Sequence, residues 1–268
     1  MQPSTDTSES ALITGIRANL CDFFRHLSRA LRAEGREQGV FTRWHTPLPH
    51  PWFNGVLAST PFTETDQTFI QETIDYFKSK NVRTFTWWLD PALQSTDWRP
   101  ALTQHAFGYA DDTPGMAMDL HALHSPAAVD DLEIRAVEDE AGLRTWAQTF
   151  VRGYGLPLDW AADVFNVWQA LEKTASLTNY LGYWRSQPVA TSSLFCGGGN
   201  AGIYSVSTLP EARGLGIGAA LTAHPLLEAR ELGYRIGTLQ SSAMGFNIYQ
   251  KLGFRHLCQI ENFYKTTS

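Results

Sequence analysis

The sequence reads Leu209-Pro210-Glu211-Ala212-Arg213-Gly214-Leu215-Gly216-Ile217-Gly218-Ala219-Ala220-Leu221 between a predicted strand and a predicted helix. Its glycines carry no side chains, so successive backbone N–H groups can turn toward one concavity. The helix that follows adds the unpaired N–H groups of its first turn and the positive end of its dipole. The stretch therefore predicts a binding site for an anion such as a pyrophosphate.

Two common families of anion-binding turn fit this stretch poorly. A nucleoside-triphosphate loop needs Lys and then Ser or Thr after its last glycine, whereas this sequence has Ala219 and Ala220. A Rossmann turn needs Gly-x-Gly-x-x-Gly, whereas Gly214, Gly216 and Gly218 are spaced by two residues throughout. No suitably placed acidic partner follows them. We therefore set both families aside.

A third family matches in two separate places. Arg213-x-x-Gly216-x-Gly218, preceded by Pro210-Glu211, closely resembles the pyrophosphate-binding motif of the GNAT superfamily of acetyltransferases. Tyr249-Gln250-Lys251-Leu252-Gly253-Phe254 resembles the Tyr-x-x-x-Gly-Phe segment of the same family and follows at the expected distance. The resemblance covers about residues 132–264 in the order of elements, and about residues 206–254 in the motifs themselves.

The resemblance implies an acetyl-CoA-dependent N-acetyltransferase, which moves an acetyl group from acetyl-CoA to a primary amine by direct attack. Tyr249 falls where the family places the catalytic hydroxyl that meets the departing thiolate. On the strand before the turn, main-chain groups would contact the pantetheine arm and the acetyl carbonyl, and a backbone N–H there stabilises the developing oxyanion. The cofactor-binding residues that the resemblance implies are Val206, Ser207, Thr208, Arg213, Gly214, Leu215, Gly216, Ile217, Gly218, Ala219 and Ser242.

The sequence departs from the family pattern at three points. Ser242 stands seven residues before Tyr249, where the family commonly has a cofactor-binding asparagine, and a serine can still donate a hydrogen bond. Pro225 lies inside the predicted helix, where it removes one backbone hydrogen bond. No carboxylate stands at an evident position for a general base, because Glu211 belongs to the turn and Glu228 is a full helix away. A water chain or an unidentified base would then take the amine proton.

The order of predicted elements divides the chain into two similar halves. Each half reads as strand, turn, helix, strand, helix, an aromatic-glycine step and a final strand. The predicted fold class is α/β, with two tandem GNAT-like domains, each a mixed and mostly antiparallel sheet flanked by helices. Residues 1–10 are predicted as a polar tail, 11–122 as a degenerate GNAT-like domain, 123–131 as a linker and 132–268 as the catalytic domain.

Periodicity and turn residues predict the individual elements. The helices are expected at about residues 10–34, 70–77, 98–105, 140–151, 160–175, from the glycine turn to about 232, and across Tyr249. The strands are expected at about residues 52–58, 84–89, 116–120, 132–137, 179–184, 189–195, 203–208, 236–241 and 254–264.

The N-terminal half lacks the glycine turn. At the equivalent place the chain reads Ser59-Thr60-Pro61-Phe62-Thr63-Glu64-Thr65-Asp66, with no glycine and two carboxylates. Carboxylates repel a pyrophosphate electrostatically. We therefore expect one CoA site per chain, in the C-terminal half.

The composition indicates a soluble, cytoplasmic protein. The formal charge is −6 and the pI about 5.7, with no block rich in Lys or Arg, so a nucleic-acid partner is not expected. Three widely spaced cysteines fit neither a disulfide framework nor a metal site, and no pair of histidines has a persuasive ligand spacing. No metal is therefore expected. No run of residues reads as a signal peptide or a membrane span, so no membrane partner is expected.

The expected acceptor is a small-molecule or peptide amine, and the negative charge of the protein mildly favours a cationic one. We expect it to enter beside the loop of residues 153–160, where Tyr154, Asp159 and Trp160 are candidates for contact. The sequence predicts no particular oligomeric state. A non-catalytic acyl-CoA-binding sensor or interaction protein stands as the alternative function, because one half is degenerate. The presence of Tyr249 together with an intact glycine turn favours catalysis.

Overall fold

The computed structural model describes residues 2–31, 41–58, 68–93, 97–172 and 176–267. Its α-helices are α1 Glu9–Ala30, α2 Thr68–Ser79, α3 Arg99–Gln104, α4 Glu140–Tyr154, α5 Ala161–Glu172, α6 Ile217–Glu231 and α7 Phe246–Leu252. Its strands are β1 Phe41–Trp44, β2 Gly55–Ala58, β3 Thr84–Leu89, β4 Gly108–Asp119, β5 Leu132–Ala136, β6 Leu177–Trp184, β7 Gln187–Gly197, β8 Asn200–Thr208, β9 Ile236–Gln240 and β10 Arg255–Thr266.

The chain divides into two compact units. The larger unit consists of Met1–Leu20 and Gly115–Cys258, and the smaller unit consists of Cys21–Pro114 and Gln259–Ser268. Helix α1 and strands β4 and β10 therefore contribute residues to both units.

The smaller unit is organised by strand β3. Strand β2 runs parallel to β3 and antiparallel to β1, and Glu261–Thr266 of β10 run antiparallel to β3 on its other side. Aromatic side chains dominate the core, because such large apolar groups bury much surface per residue. Its buried aromatic residues are Phe41, Phe69, Phe77, Phe85, Trp87, Trp98, Phe107 and Phe263.

The larger unit has the strand order β4-β9-β8-β7-β6-β5. Strand β8 runs parallel to β9, and the other neighbouring pairs are antiparallel. Gly198 and Gly199 close the β7–β8 hairpin with φ values of 59° and 78°, which a two-residue turn of the primed type requires. Both positions of this turn therefore favour glycine.

Helices cover the sheet of the larger unit. Helices α4 and α5 pack against each other, and α4 also packs on β7, where the Trp146 indole donates to the Ser192 carbonyl over 3.2 Å. Helix α6 packs on β7 and β8 through buried residues that include Ile217, Leu221 and Leu226. The helix that begins at the predicted anion site is therefore anchored along its length. Pro225 lies within α6, and no contact explains its presence.

Most predicted elements of the C-terminal half are confirmed to within a few residues, but three strands in the N-terminal half differ. Strand β1 was not predicted, because four residues that are all buried show no alternation. Strand β4 begins at Gly108 rather than near residue 116, because its first five residues are exposed and carry no apolar pattern. Residues 51–53 form a 3-10 turn, so that β2 begins only at Gly55.

The compact units divide the chain at other places than the predicted domains. Residues 115–119, expected in the N-terminal domain, pair with β9 in the larger unit. Residues 261–266, expected in the catalytic domain, pair with β3 in the smaller unit. Both differences arise from long-range strand pairing, which leaves no local signal in the sequence.

The predicted linker, residues 123–131, contains no helix or strand but lies within the larger unit. The His124 N–H donates to the Leu252 carbonyl over 3.0 Å, and the Trp184 indole donates to the Asp130 carbonyl over 3.2 Å. Val129 packs against the core. This segment is therefore held against the unit along its length.

Asn19 anchors α1 to the β7–β8 hairpin. Its side chain is fully buried, and its amide nitrogen lies within 3.2 Å of the carbonyls of Phe195, Gly197 and Asn200. Its amide oxygen accepts a hydrogen bond of 2.8 Å from the Tyr204 hydroxyl. Buried polar groups of this kind are costly to leave unpaired.

We predict that Asn19→Ala lowers the free energy of unfolding by about 3 kcal/mol, because several buried groups lose their partner together. Thr14→Ala, at an exposed position of the same helix, serves as the control and should change it by about 0.5 kcal/mol or less. Urea denaturation of both variants measures the difference. Equal stability of the two variants would show that Asn19 does not anchor the helix.

Candidate active site

Strand β8 separates from β9 after Ile203, and the candidate site lies where the two strands part. The parallel register pairs Ala201–Ile203 with Gly237–Leu239 and ends there, whereas β8 continues to Thr208. The end of β8 carries the predicted residues Val206, Ser207 and Thr208. These residues therefore lie beside a gap in the sheet, where main-chain groups can meet a ligand.

A β-bulge shapes β8 just before these residues. The β7–β8 register shifts between Thr191 and Ser193, and Ser205 adopts a φ of 56°, a left-handed conformation that is strained for serine. The Thr191 hydroxyl donates to the Ser205 carbonyl over 2.8 Å. Since that hydrogen is used, the Ser207 hydroxyl is the donor in its 2.8 Å contact with Thr191. Thr191, which the sequence gave no reason to select, thus holds the bulge.

The end of α4 is fixed to the same part of β8. Gly153 lies so close that a Cβ atom there would be 2.5 Å from the Ser207 hydroxyl oxygen. The next residue, Tyr154, donates from its hydroxyl to the Val206 carbonyl over 3.0 Å. Tyr154 was expected in the acceptor loop, and the structure gives its hydroxyl a contact with the strand that carries the site.

Arg213 joins the ends of β8 and α4. Its Nε donates to the Thr208 carbonyl over 3.0 Å, and its Nη2 donates to the Gly153 carbonyl over 2.8 Å. Two of its hydrogen-bonding groups are therefore used within the protein. Arg213 belongs to the predicted anion-binding motif, but its side chain contributes by holding these two main-chain segments in place.

The glycine turn has the geometry that an anion site needs. Gly214 and Gly216 have φ values of 79° and 85°, in the left-handed region that favours glycine. A Cβ atom at Gly214 would meet nothing within 4 Å, and one at Gly216 would meet only a methyl group of Val129, at 3.5 Å. Leu215 lies between them and is 43% exposed. The turn is therefore open on the side where side chains are missing.

Helix α6 begins directly after Gly216. Its first intrahelical bond runs from the Ala220 N–H to the Gly216 carbonyl over 3.1 Å. The N–H groups of Ile217, Gly218 and Ala219 precede this bond and therefore have no acceptor within the helix. Together with the helix dipole they favour a bound anion at this point.

Tyr249 lies on α7 with 9% of its surface exposed. Burial raises the pKa of its hydroxyl to about 12. Among the described residues, this hydroxyl has no hydrogen-bond partner. Gly245, one turn earlier, leaves room for the ring, since a Cβ atom there would be 2.6 Å from the ring carbon Cε2. A buried and unpaired hydroxyl is available to a ligand.

Tyr154 and Tyr249 lie close enough for their phenols to interact electrostatically. Burial raises the pKa of Tyr154, and the nearby phenol of Tyr249 raises it further. Tyr154 is 36% exposed, and its hydroxyl is bonded to the Val206 carbonyl. Tyr154 thus contacts β8 at Val206 and also interacts electrostatically with Tyr249.

Ser242 lies three residues before Gly245, the N-cap residue of α7. Its hydroxyl accepts a hydrogen bond of 3.3 Å from the Gly245 N–H, and its carbonyl accepts one of 3.1 Å from the Phe246 N–H. The Ser241 hydroxyl donates to the same carbonyl over 2.8 Å. Ser242 is exposed and its hydroxyl hydrogen is still free to donate, so its contact with a cofactor stays a prediction.

The two carboxylates considered as bases are both paired. Glu211 accepts a hydrogen bond of 3.3 Å from Arg152. Glu228 accepts one of 2.5 Å from the Tyr180 hydroxyl and lies 3.1 Å from Nε2 of His224. The segment of residues 59–66, expected not to bind a pyrophosphate, lies outside the described residues.

Part of the C-terminal half resembles a known domain family. Residues 176–256 match the family model of the acetyltransferase (GNAT) domain, and this range spans the bulged strand, the glycine turn and Tyr249. No curated protein matches the sequence of the chain.

Solved structures extend the GNAT-like fold to the whole chain. A GCN5-related N-acetyltransferase from Kribbella flavida has a TM-score of 0.66 at 15% identity, over 98% of this chain and 96% of its own. One from Sphaerobacter thermophilus has a TM-score of 0.64 at 16% identity, over 85% and 76%. A tandem GNAT protein from the clavulanic acid biosynthesis pathway has a TM-score of 0.57 at 12% identity, over 87% and 81%. The predicted fold class is therefore confirmed.

Two features are absent from the described residues. In the part of the chain that the structure describes, no three His, Cys, Asp or Glu side chains are grouped so as to hold a metal ion. No described helix has the length and apolar character needed to cross a membrane.

We predict that Tyr249→Phe flattens the alkaline loss of stability. A tyrosine whose pKa is higher in the folded than in the unfolded protein stabilises the fold fully below about pH 10, its unfolded pKa. This contribution is lost as the pH rises from about 10 through the folded pKa of about 12. Urea midpoints of the parent and the variant at pH 8 and pH 11 measure the effect. Equal pH dependence in both proteins would contradict it.

Proposed function

We propose that this chain is an acetyl-CoA-dependent N-acetyltransferase, which transfers an acetyl group to a primary amine by direct attack. The observation that most strongly supports this proposal is the arrangement of residues around the gap between β8 and β9. One end of β8 leads into the open glycine turn, and Tyr154, which bonds to β8 at Val206, is close enough to Tyr249 for the two phenols to interact electrostatically. A long donor molecule with a pyrophosphate at one end and a thioester at the other fits such a site.

The glycine turn would bind the pyrophosphate. The residues that would surround it are Arg213, Gly214, Leu215, Gly216, Ile217, Gly218 and Ala219. The unpaired N–H groups of the first turn of α6 would donate to phosphate oxygens. Arg213 would act by holding the Thr208 and Gly153 carbonyls, and its charge adds to the positive field.

The end of β8 would orient the reacting group. Acetyl-CoA supplies an activated acyl group in the form of its thioester. The Val206 N–H would donate to the carbonyl oxygen as it becomes an oxyanion, a contact that contributes about 3–4 kcal/mol in comparable sites. Tyr249 would donate a hydrogen bond from its hydroxyl to the sulfur as the thiolate leaves. Since Glu211 and Glu228 are paired elsewhere, the amine proton would leave through water.

The acceptor would be a small-molecule or peptide amine that enters beside residues 153–160. A formal charge of −6 favours a cationic amine over an acidic acceptor. We further propose one CoA site per chain and action in the cytoplasm, without a metal, nucleic acid or membrane. One site is supported by the match of the family model to residues 176–256 and by the absence of glycine from residues 59–66.

A screen of primary amines with acetyl-CoA tests the proposal. Release of free thiol reports turnover, and a thermal shift with CoA reports binding. Turnover with at least one amine is the expected result. A thermal shift without turnover on any amine would favour an acyl-CoA-binding sensor, and the absence of both would contradict CoA binding altogether.

We predict that Gly216→Asp weakens CoA binding at least 100-fold, because it places a side chain and a negative charge in the open turn. Gly233→Asp is a matched control: Gly233 also has a positive φ, of 92°, and a Cβ atom there would meet nothing within 4 Å. Calorimetric titration with CoA measures both variants. If they bind equally well, the turn at Gly216 has only a structural role.

We predict that Tyr249→Phe lowers kcat about 100-fold with little change in CoA affinity, since phenylalanine keeps the ring packing and removes only the donor. Its hydroxyl has no partner among the described residues, so the substitution breaks no hydrogen bond within that part of the chain. Steady-state kinetics with an amine found in the screen provide the measurement. A variant as fast as the parent would make Tyr249 a packing residue.

A further inference from the structure

We propose that Tyr154 is a positioning residue for the acyl transfer, which holds Val206 so that its N–H faces the donor. The inference rests on the proposed function and adds a residue that neither family motif contains. Its basis is the 3.0 Å hydrogen bond from the Tyr154 hydroxyl to the Val206 carbonyl, at the place where β8 has left β9.

The hydrogen bond to the Val206 carbonyl also orients the Val206 N–H. In an extended strand, the N–H and C=O of one residue point to the same side. The Val206 N–H therefore faces the same side as the carbonyl that Tyr154 holds. The residue before it, Ser205, has a φ of 56°, so the backbone here is not fixed by regular strand geometry. A side-chain hydrogen bond can then decide which way Val206 faces.

The position of Tyr154 is itself fixed from three sides. Gly155 ends α4 in the left-handed conformation, with its N–H bonded to the Arg152 carbonyl over 3.1 Å. Gly153 packs directly on Ser207, and its carbonyl accepts from Arg213. The Tyr154 ring lies 4.7 Å from that of Phe150, one turn earlier on the helix. These contacts aim the phenol at β8.

Closeness to Tyr249 places Tyr154 beside the reacting group. The phenol of Tyr249 influences the pKa of Tyr154, whose hydroxyl is bonded to the Val206 carbonyl. Tyr249 would donate to the sulfur, while Tyr154 acts only through Val206. Since the acyl carbonyl would bind the Val206 N–H, the loss of Tyr154 should affect a ligand that carries the acyl group more than one that lacks it.

The test compares acetyl-CoA with CoA. For Tyr154→Phe we expect calorimetry to show acetyl-CoA binding weakened about fivefold to tenfold and CoA binding changed less than twofold, because one oriented hydrogen bond is worth about tenfold. With a verified amine, kcat should fall about tenfold. Tyr204→Phe is the matched control: it removes a tyrosine hydroxyl bond on the same strand, to Asn19, and should leave the ratio of the two affinities unchanged.

Two other outcomes would overturn the inference about Tyr154, and a third would overturn the proposed function. Equal weakening of acetyl-CoA and CoA by Tyr154→Phe would give Tyr154 a general structural role and overturn the inference. Unchanged binding and unchanged kcat would overturn it as well, while leaving the proposed function intact. If the parent protein binds neither ligand, the proposed function fails first, before any variant is compared. Thermal melting of Tyr154→Phe shows that the folded variant is the species measured.

Discussion

The separation of β8 from β9 after Ile203 is the constraint on which the site depends. Main-chain groups inside a protein must find partners, and a strand that leaves its neighbour loses them on one side. Here side chains replace the missing sheet. Thr191 bonds to the Ser205 carbonyl, Tyr154 to the Val206 carbonyl and Arg213 to the Thr208 carbonyl. Three carbonyls among the last four residues of the strand are thus satisfied by side chains from three different segments.

Because these carbonyls are already hydrogen-bonded, the polar groups that remain available at the site are mainly N–H and O–H donors. The carbonyls at the end of β8 already accept hydrogen bonds, and the first turn of α6 offers N–H groups that have no acceptor within the helix. Tyr249 adds an unpaired hydroxyl on α7. A surface with this balance suits negative charge, whether a pyrophosphate or a carbonyl oxygen that becomes an oxyanion. The same separation that opens the sheet therefore also sets the chemical character of the opening.

How much the sequence predicts depends on whether the signal is local. The glycine turn and the Tyr249 segment are short patterns, and both lie where the motif places them. The order of strands in the C-terminal half follows in the same way from alternation and turn residues. Tyr154 could not be assigned from the sequence, because its role comes from a hydroxyl that reaches a strand 52 residues later. The pairing of residues 261–266 with β3 is equally non-local, and for that reason the predicted domain boundaries and the compact units differ.

The raised pKa of Tyr249 constrains how it acts in the proposed reaction. An ordinary thiol has a pKa of about 8.5, whereas burial raises the pKa of Tyr249 to about 12. Full transfer of its proton to a thiolate would then be uphill by about three to four pKa units, and the phenolate left behind would be buried without a counter-charge. Donation of a hydrogen bond carries no such cost, because Tyr249 stays neutral throughout. The water that takes the amine proton in the proposed reaction could then also return a proton to the thiolate. Such a path needs no carboxylate base, which agrees with the pairing of Glu211 and Glu228 elsewhere in the described residues.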